Sequence, residues 1–248
     1  MSLPSQQALS RMVVAIDGPS GSGKSSVSRG VAARLGLRFL DTGAQYRAMT
    51  YWMLQNKVDI GDAAAIAADA GTPEIVSGTD PAGPAISVDG ADVAVEIREA
   101  DVTGAVSAVA AVPEVRARLI ALQREIIGDG GIVVEGRDIA SVVAPGAAAK
   151  IFLTASEDAR AARRNAEHAA SGGGGAGADS VAATREALTR RDSVDNRTNA
   201  LAAAAGAVVV DATELTLEQV IEAVAGIVIH AAEGSVPDAA SQGVGLTR

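Results

Sequence analysis

The sequence predicts an α/β fold in which buried strands form a sheet flanked by helices. Short apolar runs recur along the 248-residue chain and alternate with segments of helical spacing. Hydrophobic residues make up 48% of the chain but aromatic residues only 2%, so the core must be largely aliphatic. A chain of this length suits one globular unit with an insertion, or at most two small domains.

Two strand–helix units open the chain. An apolar run ends at Asp17-Gly18, and in the segment after it Val27, Val31 and Leu35 share one helical face. A second short run ends at Asp41 and leads into another segment of helical spacing. The predicted strands are 12–16 and 38–40, and the predicted helices are 25–35 and 44–55.

The section 57–99 differs in character, because clusters of Gly, Pro and Asp interrupt it. Apolar residues at 86–88 and 93–97 flank Asp89-Gly90, which is a strong signal for a hairpin turn. We therefore expect a small β-hairpin insertion at about residues 57–100.

The second half of the chain returns to helices and buried strands. Pro113 suits the first turn of a helix, and Thr216-Leu-Glu-Gln219 is a capping box that opens the last helix. A Gly-rich stretch, 171–178, separates two Arg-bearing helices, which favours a mobile lid at about residues 160–192. The predicted helices are 101–112, 113–127, 156–170 and 181–191, the predicted strands are 132–134, 150–153 and 208–210, and 232–248 is expected to be a disordered tail.

Composition excludes several classes of protein. The net charge of −9 argues against broad binding to nucleic acids or anionic membranes, which requires a basic surface. The chain has no cysteine and two histidines, which excludes disulfides and thiolate catalysis and argues against Cys- or His-based metal sites. Residues 1–11 lack the apolar core of a signal peptide, and no apolar run reaches membrane-spanning length. We expect a cytoplasmic protein that binds neither nucleic acid nor membrane.

The most informative motif is a phosphate-binding loop. Gly18-Pro-Ser-Gly-Ser-Gly23-Lys24-Ser25 matches the P-loop pattern G-x-x-x-x-G-K-[ST], and it lies between a predicted strand and a predicted helix. Its glycines let backbone N–H groups converge on phosphate oxygens, and the helix N-terminus adds its dipole. Lys24 is expected to bind the β- and γ-phosphates and Ser25 to ligate Mg²⁺. The motif alone does not separate kinases from GTPases, ATPases or regulatory switches.

One string supports a GTP-binding switch as an alternative. Asn56-Lys-Val-Asp59 matches the N-K-x-D string with which GTPases recognise guanine. It follows the second predicted helix, well before the late strands where such a loop would lie, and no D-x-x-G follows a third strand. The favoured interpretation is a polar helix end.

Arginines at strand and helix ends indicate a phosphoryl acceptor, because phosphoryl transfer needs positioning and charge neutralisation more than covalent chemistry. Arg47 lies one turn into a helix, and Arg137 follows a strand, at the sheet edge where α/β proteins bind ligands. Burying Arg137 beside Asp138 would be costly without a compensating anion.

Two interpretations stay open for other charged residues. Glu135 resembles the acidic residue that helps to organise Mg²⁺ at a strand end in P-loop proteins, and a helix cap or ion pair is the alternative. Arg160, Arg163 and Arg190 either bind phosphate or lie on the solvated surface.

Seven segments, in this order between about Val13 and Val224, resemble bacterial cytidylate kinases. The pair Asp-Thr-Gly-x-x-Tyr-Arg and Gly-Arg-Asp is what separates this family from adenylate and shikimate kinases. The segments are 18–25, 41–47, 95–98, 106–116, 134–138, 150–154 and 190–195.

The resemblance implies a P-loop nucleoside triphosphate hydrolase-type fold: a five-stranded parallel sheet flanked by helices, with a small monophosphate-binding insertion and a short lid, in a domain spanning 12–231. It implies that the γ-phosphoryl group of ATP, with Mg²⁺, is transferred to CMP or dCMP, and that a monomer acts on small-molecule nucleotides. UMP, AMP or shikimate is the alternative acceptor.

The resemblance also implies residue roles. Thr42, Ser107, Arg116 and Asp138 would face the cytosine, Arg47 and Arg137 would bind the acceptor phosphate, and Arg191 and Asp195 would contact the pentose. Arg164 would close over the transferring phosphates, so that Lys24, Arg137, Arg164 and Asp138 form the catalytic set. ATP would be bound by Gly18, Pro19, Ser20, Gly21, Ser22, Gly23, Lys24, Ser25 and Ser26.

The chain departs from the family pattern near the lid. Arg197 comes one residue earlier than the arginine that helps to bind the base, so its role is left open. The segment after Gly136-Arg-Asp138 and the run of glycines at 172–175 are also unusual. These departures could alter lid closure or activity.

Overall fold

The computed structural model describes residues 6–170, 184–186, 188–190, 192–193 and 202–234. The Gly-rich stretch 171–178, Arg191, Asp195, Arg197 and residues 235–248 lie outside these ranges, and so do the predictions made for them. The strands are β1 Val13–Asp17, β2 Arg38–Asp41, β3 Ile75–Ser77, β4 Ile86–Val88, β5 Ala91–Asp92, β6 Ile132–Gly136, β7 Ala149–Thr154 and β8 Val208–Asp211. The α-helices are α1 Gln6–Leu9, α2 Lys24–Leu35, α3 Thr42–Gln55, α4 Ala63–Asp69, α5 Ala100–Ala110, α6 Pro113–Ile127, α7 Glu157–Ala170 and α8 Leu217–Ala232.

Five parallel strands form the central sheet, in the order β2-β6-β1-β7-β8, which confirms the predicted fold class. In β1, Val14, Ala15 and Ile16 have no exposed surface, as expected for a parallel strand covered by helices on both faces. The register aligns the carboxyl ends of β2, β6 and β1, pairing Asp41 with Glu135 and Asp17 with Gly136. The loops after these strands therefore meet at one edge of the sheet.

Helices α2 and α8 cover one face of the sheet. Val27, Val31 and Leu35 of α2 are buried there, as their spacing predicts. The two helices approach closely at Gly30, where an added Cβ atom would lie 2.3 Å from Ile221 Cδ1. The predicted capping box opens α8, with the Thr216 and Gln219 side chains bonded to each other's backbone N–H groups.

The opposite face is covered by α6 together with a π-helical turn, Ile139–Val143, whereas α3 and α5 pack with the insertion in a second core cluster. Pro113 occupies the first turn of α6, as predicted. No helix within the described ranges combines the length and the apolar character needed to cross a membrane.

The insertion is larger than the predicted hairpin. Asp89 and Gly90 have positive φ angles of 50° and 81°, which fits the predicted turn, but β5 is only two residues long. The prediction of a strand at 93–97 is wrong, because that segment leads into a 3₁₀ turn, Glu96–Arg98. Val93 and Ile97 are buried while Val95 is 75% exposed, so the segment has helical and not alternating spacing.

Two further elements of the insertion were not predicted. Strand β3 pairs with β4 in antiparallel fashion, so the insertion has a three-stranded sheet. Helix α4 begins after Asp62, whose side chain accepts a hydrogen bond from Ala64 N. Ile66 is its one buried residue, so this alanine-rich helix carries almost no periodic signal.

Candidate active site

The phosphate-binding loop joins β1 to α2 as predicted. Gly18, Gly21 and Gly23 have positive φ angles, and an added Cβ atom at Gly18 would lie 2.0 Å from the carbonyl oxygen of Leu153 in β7. Lys24 begins α2, and its Nζ atom donates to the Pro19 carbonyl at 2.8 Å. At these three positions the backbone therefore adopts conformations that favour glycine, which lets N–H groups of the loop surround a phosphate.

The ammonium group of Lys24 lies in a crowded electrostatic environment. Burial, and after it the like charge of Arg137, lowers the pKa of Lys24 to about 8. The carboxylates of Glu135 and Asp192 act in the opposite direction. The predicted donor-phosphate ligand Lys24 and the predicted acceptor-phosphate ligand Arg137 therefore influence each other electrostatically.

Asp17 and Asp41 end β1 and β2, the two strands on either side of β6, and organise the backbone around the site. The carboxylate of Asp17 accepts from the N–H groups of Ile139 and Ala140, both at 2.8 Å, and so holds the turn that follows Arg137 and Asp138. Burial raises the pKa of Asp17.

The side chain of Asp41 caps α3 through Ala44 N at 2.8 Å. It also forms an ion pair with Arg47 at 3.1 Å. The predicted phosphate ligand Arg47 is therefore held against the start of its own helix.

Glu135 is almost fully buried at the end of β6. Burial, followed by the nearby carboxylate of Asp41, raises the pKa of Glu135 to about 7. The nearby side chains of Lys24 and Ser25 act on this pKa in the opposite direction, and Glu135 Oε1 has no hydrogen-bond partner among the described residues. The structure gives no support to the helix cap that was considered for Glu135, because Glu135 lies within β6.

The residues expected to face the base lie on three helices and in the segment that follows β6. Thr42 starts α3, and its hydroxyl donates to the Glu135 carbonyl at 2.7 Å. Ser107 lies half-buried on α5. Arg116 on α6 forms an ion pair with Asp138, the residue that precedes the π-helical turn.

Asp192 pairs with two largely buried arginines. Arg137 forms an ion pair with it at 3.0 Å, while Asp138, the neighbour of Arg137 in the sequence, pairs with Arg116. A surface position for Arg160 is wrong, since its side chain is 8% exposed and forms a second ion pair with Asp192.

The other arginines on and after α7 differ in their exposure and in their contacts. Arg163 donates to the carbonyls of Ser22 and Ala212, so it links α7 to the phosphate-binding loop. Arg164, the predicted lid arginine, is half-buried on α7, and Arg190 is exposed. Arg160, Arg163 and Arg190 were expected either to bind phosphate or to lie on the surface, and of these three only Arg190 is exposed.

Sequence reasoning missed two acidic residues of this site. Asp17 was noted only as the end of a strand, although a carboxylate at the start of a Gly-rich loop is a recognisable signal. Asp192 lies within the Arg-Arg-Asp segment that supported the resemblance, but no role was assigned to it. The guanine-recognition string is confirmed as a polar helix end, because Asn56 terminates α3 and its Nδ2 atom donates to the Trp52 carbonyl at 2.9 Å.

Comparisons with known proteins agree on one family. The family model described as cytidylate kinase matches residues 14–230. A cytidylate kinase of Streptomyces coelicolor is 61% identical over 221 residues, which are 88% of this chain and 92% of that protein. Cytidylate kinases of Streptomyces avermitilis and Nocardia farcinica are 59% and 52% identical, each over 88% of this chain and over 92% and 93% of their own lengths.

Proposed function

Because the chain belongs to the cytidylate kinase family, we propose that it transfers the γ-phosphoryl group of ATP to CMP or dCMP, giving ADP and CDP or dCDP. The observation that carries this proposal is that the phosphate-binding loop, which contains Lys24, lies beside Arg137 at the end of β6, because Ser20 N and Arg137 Nη1 both donate to Asp192 Oδ1, at 3.2 and 3.0 Å. One cation suits the phosphates of a donor and the other the phosphate of an acceptor. Their proximity would bring the two anions within reacting distance.

On the donor side, the backbone of Gly18 to Ser26 surrounds the triphosphate of ATP. The glycines supply N–H groups without side chains, and the N-terminus of α2 adds a favourable dipole. Lys24 exchanges its bond to the Pro19 carbonyl for phosphate oxygens, which relieves the repulsion from Arg137 because an anion then lies between the two cations.

Mg²⁺ is expected to accompany ATP. Ser25 offers a hydroxyl group at the start of α2, and Glu135 offers a buried carboxylate with an unpartnered oxygen. These hard oxygen donors fit Mg²⁺, which is usually held by one or two protein ligands together with phosphates. Bound Mg²⁺ supplies charge neutralisation at the β- and γ-phosphates. In the described part of the chain no three acidic or histidine side chains form a metal cage of their own.

On the acceptor side, the ion pair of Arg116 and Asp138 suits an amino-oxo pyrimidine. A carboxylate accepts from the exocyclic amino group of cytosine, and a guanidinium donates to its carbonyl and ring nitrogen. Uracil presents a carbonyl where cytosine has the amino group, so it would leave Asp138 facing an acceptor. This is the physical reason to expect CMP and dCMP as the preferred acceptors.

The reaction needs no general base, because the attacking oxygen of the acceptor phosphate is already anionic. That oxygen forms a bond to the γ-phosphorus while the bond to the β–γ bridging oxygen breaks, in line with it. Arg47 and Arg137 orient the acceptor phosphate, and Lys24 and Arg164 offset the charge that develops during transfer.

An acceptor panel tests the proposal. Purified protein is incubated with ATP and Mg²⁺ and with CMP, dCMP, UMP, AMP or shikimate, ADP release is followed, and the product is identified by chromatography. We expect CMP and dCMP to give the highest kcat/KM, and Lys24→Ala to lower kcat about 10²-fold or more. Equal rates with all acceptors, a preference for another acceptor, or GTP binding without acceptor-dependent turnover would overturn it.

Other expectations remain predictions. We expect a monomeric state and a cytoplasmic location, and we expect Arg191 and Asp195 to contact the pentose. Size-exclusion chromatography with light scattering tests the first of these.

A further inference from the structure

Asp192 lies at the centre of a cluster that joins four parts of the molecule. Its carboxylate forms ion pairs with Arg137 at the end of β6 and with Arg160 on α7. It also accepts a hydrogen bond from Ser20 N in the phosphate-binding loop at 3.2 Å. The four parts are therefore linked through one side chain.

The cluster holds the phosphate-binding loop by its backbone. While Ser20 N donates to Asp192, the Ser20 carbonyl accepts from Arg160 Nη1 at 3.0 Å. Both backbone polar groups of Ser20 are thus bound by a carboxylate and a guanidinium that are themselves paired. This arrangement restricts the loop on the side that faces Arg137.

The side chains that make these contacts are largely buried, so their charges depend on one another for stabilisation. The side chains of Arg137, Arg160 and Asp192 are only 18%, 8% and 17% exposed. A guanidinium buried to this extent needs a nearby anion, and Asp192 supplies the same anion to both arginines. Without it, both guanidinium groups would lose the carboxylate that they share.

Resting on the proposed function, we infer that Asp192 is a positioning residue for phosphoryl transfer. Its carboxylate keeps the guanidinium of Arg137 aimed at the acceptor phosphate, and it holds Arg160 and the loop at Ser20 in the matching arrangement. Asp192 touches neither nucleotide in this account, and it acts through Arg137. Charge-assisted pairs hold a guanidinium in one orientation, which is what transfer between two bound phosphates requires.

If Asp192 instead competed with phosphate for the same groups, the effect of removing it on kcat and KM would be the opposite. A carboxylate bound to a loop N–H group and to a phosphate-binding arginine could compete with phosphate. Removing such a competitor would lower KM for a nucleotide and leave kcat unchanged. Removing a positioning residue lowers kcat and leaves KM nearly unchanged.

The test compares Asp192→Asn with the wild-type full-length chain, using ATP, Mg²⁺ and CMP. The matched control is Asp158→Asn, because Asp158 is an exposed carboxylate on α7 that pairs with the exposed Arg185. For Asp192→Asn we expect kcat to fall about 10- to 100-fold, with both KM values within about threefold of wild type. Asp158→Asn should match wild type.

A double-mutant cycle separates positioning from a general effect on the fold. If Asp192 acts through Arg137, then Asp192→Asn should lower kcat by less than about threefold when Arg137 is already Met. A full additional loss in that background would overturn the inference. So would unchanged kcat in the single variant, or a lower KM with unchanged kcat.

A second variant covers the case in which Asp192→Asn does not fold, as judged by its thermal unfolding. Asp192→Glu keeps the charge but moves the carboxylate by one methylene, so kcat should fall several-fold without a change in KM. Wild-type kcat in a folded Asp192→Glu variant would overturn the inference. If the wild-type protein itself fails to phosphorylate CMP, the proposed function fails instead, so the two failures are distinguishable.

Discussion

Replacing Glu135 by glutamine should change how the stability of the nucleotide-free protein depends on pH. Glu135 is buried at the end of β6, and its pKa is raised from 4.5 to about 7, chiefly by burial and then by Asp41. Between these two values the folded protein holds a proton on Glu135 that the unfolded chain has released. The free energy of unfolding therefore falls as pH rises from about 4.5 to 7, and the stabilising contribution present below pH 4.5 is lost.

The size of the effect follows from the shift. Each pKa unit corresponds to about 1.4 kcal/mol, so a rise from 4.5 to about 7 corresponds to a loss of about 3 kcal/mol. Glutamine has nearly the same shape and carries no charge at any of these pH values. The variant should therefore become more stable relative to wild type as pH rises, by up to about 3 kcal/mol between pH 4.5 and 8.

Urea unfolding of both proteins at several pH values between 4.5 and 8, without nucleotide and at constant ionic strength, measures this difference. Glu125→Gln is the control, because Glu125 is an exposed residue of α6. Its stability relative to wild type should not change across the same range. A difference between Glu135→Gln and wild type that is independent of pH would refute the reasoning.

Two further predictions concern the site. Arg137→Met should lower kcat with CMP about 10³-fold or more, because it removes a positive group from the transferring phosphates. The control Arg11→Met changes an exposed residue and should match wild type. Comparable steady-state rates in the two variants would contradict the role assigned to Arg137. Gly18→Ala should cost about 2 kcal/mol or more of unfolding free energy, because its Cβ atom would lie 2.0 Å from a backbone oxygen of β7 that cannot rotate away. Gly226→Ala in α8, where an added Cβ atom meets nothing within 4 Å, should be neutral or stabilising, and thermal unfolding of both variants checks the contrast.

The parallel core was predictable because its strands are apolar runs buried on both faces. Ile132, Val133 and Val134 in β6 have no exposed surface, and nothing in that run could be confused with an amphipathic surface element. The phosphate-binding loop was predictable for a related reason. Its glycines, its lysine and the flanking elements are all local in sequence, so the pattern and its context could be read together.

The insertion and the Asp192 cluster could not be predicted because they depend on contacts between distant residues. The strand predicted at 93–97 looked alternating, and only packing against α3 and α5 decides that Val93 and Ile97 are buried and Val95 is not. Asp192 lies 172 residues from Ser20 and 55 from Arg137. No spacing rule links such positions, so the burial of Arg160 was equally out of reach.

The same contacts explain how a chain with a net charge of −9 can bind two phosphorylated nucleotides. Three of the predicted substrate-binding arginines form ion pairs with carboxylates. Each pair has almost no net charge, and its carboxylate orients the guanidinium group. Long-range attraction therefore contributes less to recognition than the placement of N–H donors at short range. The carboxylates belong to the site as much as the arginines do, because guanidinium groups buried to this extent need an anion beside them. The pairs are Arg47 with Asp41, Arg116 with Asp138 and Arg137 with Asp192.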